Sequence, residues 1–222
     1  MEKHFDKELS SLKERILHMA ALVEKQISFA CRVLLDRNES LIDEVKRIED
    51  SVNKLQLEID ETTINLIALH QPVAHDLRFL IAAVKVSAEL ERVGDQALNI
   101  ARFARVVISQ RQIKPMIDVE AMVAVAQKML RESLDAFVNN DHVLARSILL
   151  EDDRADAYRD QIYRELITYM RENPASVPQG VPLLLISRNL ERIGDNATNI
   201  AEDVIFIVKG TDVRHHASEE KN

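Results

Sequence analysis

The sequence predicts an all-α protein made of two tandem, pseudo-symmetric three-helix bundles, with six long antiparallel helices in total. The first observation behind this prediction is a repeat. The stretch LERVGDQALNIA at 90–101 returns as LERIGDNATNIA at 190–201, with nine of the twelve positions identical. The second is composition: aromatic residues make up 4% of the 222 residues, and Gly and Pro number 4 and 5. Sheets usually contain more aromatic and turn residues, and an internal repeat indicates a duplicated architecture.

The third observation is the spacing of apolar residues near the end of each repeat. Steps of three and four residues run from 83 to 107 and again from 183 to 207. This spacing forms a seam of the kind that buries helices against nearly parallel neighbours in bundles. We therefore expect the three long helices of each repeat to pack as an up-down-up bundle.

The first repeat contains three predicted helices, and polar or proline-containing breaks separate them. Asp36-Arg37-Asn38 forms the first break, where Asn38 is the expected N-cap of the following helix. Pro72 forms the second break, because a proline inside a helix removes a hydrogen bond and clashes with the preceding turn. The periodicity predicts helices over about 5–36, 39–70 and 75–110.

The second repeat follows the same plan. Asp141 stands 103 residues after Asn38 and begins the corresponding helix, and a proline-rich loop is predicted over 173–179. Gly210 is a typical helix-ending residue. The predicted helices span about 116–139, 142–172 and 179–209. The predicted domains are a first repeat at 1–113, a second repeat at 114–210 and a polar, disordered tail at 211–222.

Composition restricts the partners and the compartment. The formal net charge is −8, so the chain repels phosphate backbones, and we expect no nucleic-acid partner. Cys31 is the single cysteine, which agrees with a reducing compartment. The N-terminus lacks a signal peptide, and the longest apolar run, Phe79 to Val84, falls far short of the roughly 20 residues that span a bilayer. We expect a cytoplasmic protein with no direct membrane insertion.

Acidic side chains recur at four-residue spacing and form candidate metal sites. Residues four apart share one helix face, and like charges at this spacing destabilise a helix slightly. A hard cation such as Mg²⁺ or Mn²⁺ relieves clustered carboxylates, although a merely solvated helix face is the simpler alternative. On the third helix of each repeat the candidates are Glu91, Asp95 and Asn99, and Glu191, Asp195 and Asn199. On the second helix of each repeat they are Glu49 and Asn53, and Asp152 and Asp156.

Two glycines lie between these acids in mid-helix, at Gly94 and Gly194. Each costs a helix roughly 1 kcal/mol relative to Ala, so each serves either close contact with another helix or access of a ligand to the backbone. Arg92 and Arg192 follow the glutamates directly. Pairing with neighbouring acids explains these arginines more simply than phosphate binding, because the sequence contains no Walker-type motif.

The sequence gives little support for catalysis. Di-iron bundle enzymes need Glu-x-x-His on their helices, and no Glu stands three residues before any of the seven histidines. No Ser-His-Asp or Cys-His arrangement is recognisable either. We expect a protein that is not an enzyme. Two alternatives remain open: a metal-binding helical-bundle enzyme or storage protein, and a structural scaffold with unrelated partners.

These motifs resemble the PhoU family of phosphate-signalling proteins. The resemblance rests on the doubled LER[VI]GD…NIA signature, on the Pro72…Asp76-Leu77-Arg78 opening and on the acidic pairs, and it covers nearly the whole chain except the tail. It implies two three-helix bundles, a homodimer and a negative regulator of the phosphate-starvation response. It also implies an adaptor between the ATPase subunit of a phosphate ABC transporter and a sensor histidine kinase.

The resemblance further implies a divalent or multinuclear metal, with Mg, Mn, Fe and Zn as candidates, on Glu/Asp-x-x-x-Asp motifs. Asn53 departs from the acidic pattern, which puts the first site in more doubt than the second. Gln96 and Asn196 stand where the family often has His. The implied ligands are Glu49 and Asn53 with Glu91 and Asp95, and Asp152 and Asp156 with Glu191 and Asp195.

Overall fold

The computed structural model describes residues 2–110, 117–211 and 213, and these residues contain helices and no strand. Two short 3-10 turns, Glu39–Leu41 and Pro174–Ser176, precede the second helix and the last helix. The six long helices are α1 Glu2–Leu35, α2 Ile42–His70, α3 Ala74–Ile108, α4 Ile117–Asn139, α5 His142–Glu172 and α6 Val177–Lys209. The predicted fold class is confirmed.

Helices α3 and α6 lie at the centre of the molecule. Helices α1 and α2 pack on α3, helices α4 and α5 pack on α6, and the contact between α3 and α6 joins the two halves. The predicted seam is fully or almost fully buried along both central helices. Full burial of a Val, Leu or Ile side chain contributes about 1.5–3 kcal/mol, so this seam is a major source of stability.

Polar contacts show that α3 and α6 run antiparallel and brace each other at both ends. The Lys85 ammonium of α3 lies 2.7 Å from Asp203 of α6. Near one end, Arg78 at the start of α3 donates to the Ile207 carbonyl at 3.1 Å. Near the other end, Gln179 at the start of α6 donates to the Val107 carbonyl at 3.0 Å. The start of each central helix therefore satisfies a carbonyl near the end of the other.

The breaks after α1 and α4 share one backbone design. Arg37 and Asn140 adopt φ values of 52° and 51°, a left-handed conformation that non-glycine residues rarely adopt. The residues that follow are caps: Asn38 accepts from the Ser40 amide in the 3-10 turn before α2, and Asp141 caps α5 by accepting from the amides of residues 143 and 144 at 3.0 Å. Asn38 was predicted to cap the second helix; it instead caps the 3-10 turn that leads into α2, and Leu41 is the N-cap of α2 itself. Arg37 also donates to the Gln110 carbonyl at 2.8 Å.

The start of α6 differs from the prediction. The predicted loop over 173–179 ends earlier, because α6 begins at Val177 and includes Pro178 and Gln179. Proline fits the first turn of a helix, where the amide has no intrahelical partner and φ is already suitable. The helix also continues through Pro182. It ends as predicted at Gly210, which has φ 71° and donates its amide to the Phe206 carbonyl at 2.9 Å.

The described residues test only some of the remaining predictions about chain organisation. The boundary between residues 113 and 114, and the tail at 211–222 apart from residues 211 and 213, lie outside the described residues. Cys31 is buried in the core, and burial raises the pKa of its thiol to about 12, so it is an unreactive packing residue. Among the described residues, no helix carries an apolar run long enough to cross a bilayer.

The stacked rings of Phe79 and Phe137 pack the first repeat against the second, with centroids 5.6 Å apart and both side chains buried. We expect Phe137→Ala to lower the free energy of unfolding by about 3–4 kcal/mol, because it leaves a cavity at this junction. Urea denaturation followed by circular dichroism measures the change. The exposed neighbour Val138 supplies the control, since Val138→Ala should change stability by less than about 0.5 kcal/mol. Equal losses in the two variants would contradict this account.

Candidate functional site

The structure gathers most of the predicted acidic residues into two clusters, one in each repeat. Packing of α2 on α3 places the acids of one helix beside those of the other, and packing of α5 on α6 repeats this arrangement. We call Glu49, Glu91 and Asp95 the first acidic cluster. We call Asp152, Asp156, Glu191 and Asp195 the second acidic cluster.

Glu49 is the most buried acid of the first acidic cluster, with 6% exposure. The Gln26 amide of α1, which is fully buried, donates to its carboxylate at 2.6 Å and to the Gly94 carbonyl at 3.2 Å. Burial raises the pKa of Glu49, the hydrogen bond from Gln26 partly lowers it, and the neighbouring Asp95 and Glu91 raise it again. Three helices therefore converge on one buried carboxyl group.

The other acids of the first acidic cluster lie nearer to solvent. Burial and the charge of Asp95 raise the pKa of Glu91, and the adjacent Arg92 lowers it in part. The Arg92 side chain pairs with Glu89 at 2.7 Å, in agreement with the predicted pairing of this arginine with neighbouring acids. The first acidic cluster thus keeps an excess of negative charge.

An arginine lies inside the second acidic cluster. Arg159 of α5 donates to Asp156 at 2.8 Å and across the helix interface to Glu191 at 2.7 Å. Burial raises the pKa of Asp195 to about 6, with further increases from Glu191, Asp152 and Asp156, while Arg159 opposes the shift. Burial and Asp156 also raise the pKa of Asp152. Four carboxyl groups thus share one guanidinium.

Two of the three predicted amide ligands, Asn99 and Asn199, form hydrogen bonds outside the acidic clusters. Asn53 is exposed on α2, and Asn99 accepts a hydrogen bond from Arg102 at 3.4 Å. Asn199 instead donates to Glu89 across the contact between α3 and α6, at 3.1 Å. The reason is helical geometry. Four residues turn a helix through about 400°, so each four-residue step rotates the side chain by about 40° beyond a full turn, and an asparagine one step after the second acid is rotated away from the first. Metal ligation by these amides stays a prediction.

Metal binding by the acids also stays a prediction. Over the described residues, no three Asp, Glu, His or Cys side chains are arranged to hold a metal ion. The first acidic cluster nevertheless fits a hard cation in its chemistry, because it combines carboxylates with the buried Gln26 oxygen, which accepts no hydrogen bond from the described residues. The second acidic cluster fits a cation less well, since Arg159 already holds two of its carboxylates.

Gln26 and Arg159 are the two site residues that the sequence reasoning missed. Gln26 stands seven residues after the buried Met19, so a polar residue at a core position of the first helix was the available signal. Arg159 could have been noticed by comparing the repeats at an offset of 103, where its counterpart is Gln56. In both cases the meaning of the residue depends on which helices pack together.

The two mid-helix glycines serve close packing. A Cβ atom at Gly94 would lie 3.0 Å from the Glu49 carboxylate and 3.1 Å from the Gln26 oxygen. At Gly194 the nearest atoms belong to Met129 and lie 3.5 Å away, which is ordinary contact distance. Gly94 is therefore required for the polar contacts of the first acidic cluster, whereas Gly194 has room for a methyl group.

Comparison with known proteins identifies the family. The family model described as PhoU domain matches residues 16–104 and, a second time, residues 119–204. The chain belongs to the PhoU family. The two matches cover all the residues of both acidic clusters.

Relatives of the PhoU family match along nearly the whole chain. The phosphate-specific transport system accessory protein PhoU homolog of Pseudomonas aeruginosa is 38% identical over 97% of this chain and 89% of that protein. The accessory protein PhoU of Escherichia coli is 36% identical over 97% of this chain and 90% of its own length.

Solved PhoU structures share the fold. PhoU from Pseudomonas aeruginosa superposes with a TM-score of 0.90 at 38% identity, covering 93% of this chain and all of that one. The phosphate transport system regulatory protein PhoU from Streptococcus pneumoniae gives a TM-score of 0.87 at 28% identity, covering 94% and 99%.

The glycines give a matched pair of substitutions. Gly194→Ala should raise the free energy of unfolding by about 0.5–1 kcal/mol, because alanine favours the helix and its methyl group meets no clash. Gly94→Ala should lower it by about 1 kcal/mol, since overpacking against Glu49 and Gln26 exceeds the helical gain. Urea denaturation of both variants beside the unsubstituted protein measures these changes. Similar shifts in both would show that the glycines are equivalent, contrary to their surroundings.

The raised pKa of Asp195 predicts a pH dependence of stability. The folded state binds this proton more tightly than the unfolded chain, so the stabilisation is present below pH 3.8 and is lost as pH rises through about 6. Asp195→Asn removes this loss. After allowance for solvent screening, we expect the free energy of unfolding of the variant at pH 7 to exceed that of the unsubstituted protein by about 1 kcal/mol.

Thermal unfolding measured from pH 4 to pH 7 tests the dependence on Asp195. The exposed Asp153, which follows Asp152 on α5, supplies the control, and Asp153→Asn should change the slope of stability against pH much less than Asp195→Asn does. An Asp195→Asn protein that loses as much stability over this window as the unsubstituted chain would rule out Asp195 as the titrating group.

Proposed function

We propose that this protein is a non-enzymatic cytoplasmic regulator of phosphate uptake and of phosphate-starvation signalling. In this proposal it is an adaptor between the ATPase subunit of a phosphate ABC transporter and a sensor histidine kinase, and it acts as a homodimer. The observation that carries the proposal is the full-length match to proteins named phosphate-specific transport system accessory protein. The alignment over 97% of this chain spans both acidic clusters and all six helices.

Exposed apolar side chains at equivalent positions support an adaptor role. Ile64 and Ile167, 103 residues apart on α2 and α5, are 65% and 54% exposed. Ile81 and Val181, 100 residues apart on α3 and α6, are exposed to similar degrees. In this proposal, these apolar residues at the same places in both repeats belong to the protein contact surfaces. The net charge of −8 favours basic surfaces on the partners.

A divalent metal is part of this proposal. Glu49, Glu91 and Asp95 are the residues that would hold it in the first repeat, and their second-repeat equivalents are Asp152, Glu191 and Asp195. Such an ion would neutralise the carboxylates and link the second helix of a repeat to the third. The helices themselves supply the partner surfaces, so the ion would affect stiffness and charge rather than take part in a reaction.

Removal of the gene should derepress alkaline phosphatase at high phosphate, and expression of the full chain should restore repression. The double variant Ile64→Asp plus Ile167→Asp should fail to restore it, because charges on these surfaces oppose burial at an interface. Used as bait in phosphate-replete cells, the double variant should capture about tenfold less of the transporter ATPase and the kinase than the unsubstituted protein does. A loss of this size is typical of contact residues that contribute over 1.4 kcal/mol to binding.

Val143→Asp is the matched control, because Val143 is 68% exposed and its counterpart at the 103-residue offset is Ser40. It should retain repression and partner capture. Full repression by the double variant would argue against these surfaces, and full repression without the gene would refute the regulatory role.

A further inference from the structure

The two acidic clusters differ in the residue that offsets their negative charge. In the second acidic cluster the Arg159 guanidinium binds Asp156 and Glu191 at 2.8 and 2.7 Å. Its counterpart in the first repeat is Gln56, which is neutral. The packing supports this alignment of the repeats, because Gly94 faces Val52 and Gly194 faces Ala155, which is again an offset of 103.

The clusters also differ on the side that faces the first helix of each repeat. Gln26 lies against Gly94, and at the corresponding place Met129 lies against Gly194. The Gln26 amide nitrogen binds Glu49, while its oxygen is fully buried and accepts no hydrogen bond from the described residues. A buried acceptor without a donor lacks the interaction that such groups normally have, and a cation would supply it. Met129 offers a thioether, which is a poor ligand for hard cations.

We infer that the first acidic cluster, together with the Gln26 oxygen, binds a divalent cation, whereas Arg159 takes the place of that cation in the second. This inference rests on the metal-binding part of the proposed function and assigns the ion to one repeat. Judged by Asn53 alone, the first repeat is the weaker candidate for metal binding. The inference makes it the stronger one, because the Arg159 guanidinium in the second acidic cluster opposes a cation more than the missing carboxylate at Asn53 does in the first.

Physical considerations favour this division. Charge-assisted hydrogen bonds from a guanidinium to carboxylates are among the stronger polar contacts in proteins, and a metal entering the second acidic cluster would have to break two of them. In the first acidic cluster the arriving ion displaces no cation. The carboxyl group of Glu49 already lies within side-chain hydrogen-bond reach of Asp95 and close enough to Glu91 for their charges to interact. Carboxylate and amide oxygens are the ligands that Mg²⁺ and Mn²⁺ prefer.

Binding of Mn²⁺ to the purified full-length chain tests the inference, with free Mn²⁺ measured by electron paramagnetic resonance. The unsubstituted protein should bind Mn²⁺, and Glu49→Gln plus Asp95→Asn should weaken this binding by about 10- to 100-fold. Glu191→Gln plus Asp195→Asn should leave it within about twofold, well below the tenfold that 1.4 kcal/mol represents. Thermal unfolding without added metal checks that each variant is folded.

Substitutions that exchange corresponding residues between the two acidic clusters give the sharper test. Arg159→Gln plus Met129→Gln, which gives the second acidic cluster the residues of the first at both positions, should create a second Mn²⁺ site, and Gln56→Arg should weaken the first by about tenfold or more. Arg154→Gln is the matched control, because Arg154 lies on the same helix and pairs with Glu151 at 3.1 Å, outside the cluster. It should change neither the number of sites nor their affinity.

Three results would overturn the inference: no Mn²⁺ binding by the unsubstituted protein, loss of binding in the Glu191→Gln plus Asp195→Asn variant, or no additional site in the Arg159→Gln plus Met129→Gln variant. None of these measurements involves a transporter or a kinase. The adaptor role can therefore fail while the metal assignment holds, and the metal assignment can fail while repression in cells is intact.

Discussion

The antiparallel contact between α3 and α6 is the constraint on which the rest of the structure depends. Each of these helices packs against two helices of its own repeat as well as against the other. Their buried seam fixes the rotation of each helix about its axis, and this rotation decides which side chains meet the flanking helices. Glu91 and Glu191 lie two residues before seam residues Val93 and Ile193, so the seam turns both acids towards α2 and α5.

Burial gives these acids their unusual chemistry. A carboxyl group that leaves water favours its neutral form, and the pKa values of Glu49, Asp152 and Asp195 all rise for this reason before any neighbouring charge is considered. The two repeats stabilise their buried carboxyl groups in different ways. One places a neutral amide, Gln26, beside its most buried acid, and the other places the Arg159 guanidinium among its four acids.

The fold was accessible from the sequence because its signals are local. The repeated signature, the seam spacing and the capping residues Asn38 and Asp141 each act within a few turns of one helix. The candidate acids were also found, since spacing alone places them on shared faces. The roles of Gln26 and Arg159 required knowledge of which helices pack together and in what register. The start of α6 was misplaced because Pro178 was interpreted as a loop residue, although the first turn of a helix accepts proline.

The reciprocal contacts at the ends of α3 and α6 bear on how such a chain could have arisen by gene duplication. Arg78 serves the end of the other repeat's central helix, and Gln179 does the same in return. An ancestor with a single repeat would have left both its apolar seam and these carbonyls open to water. Because both repeats belong to one chain, the contact between α3 and α6 forms within a single molecule and does not depend on protein concentration.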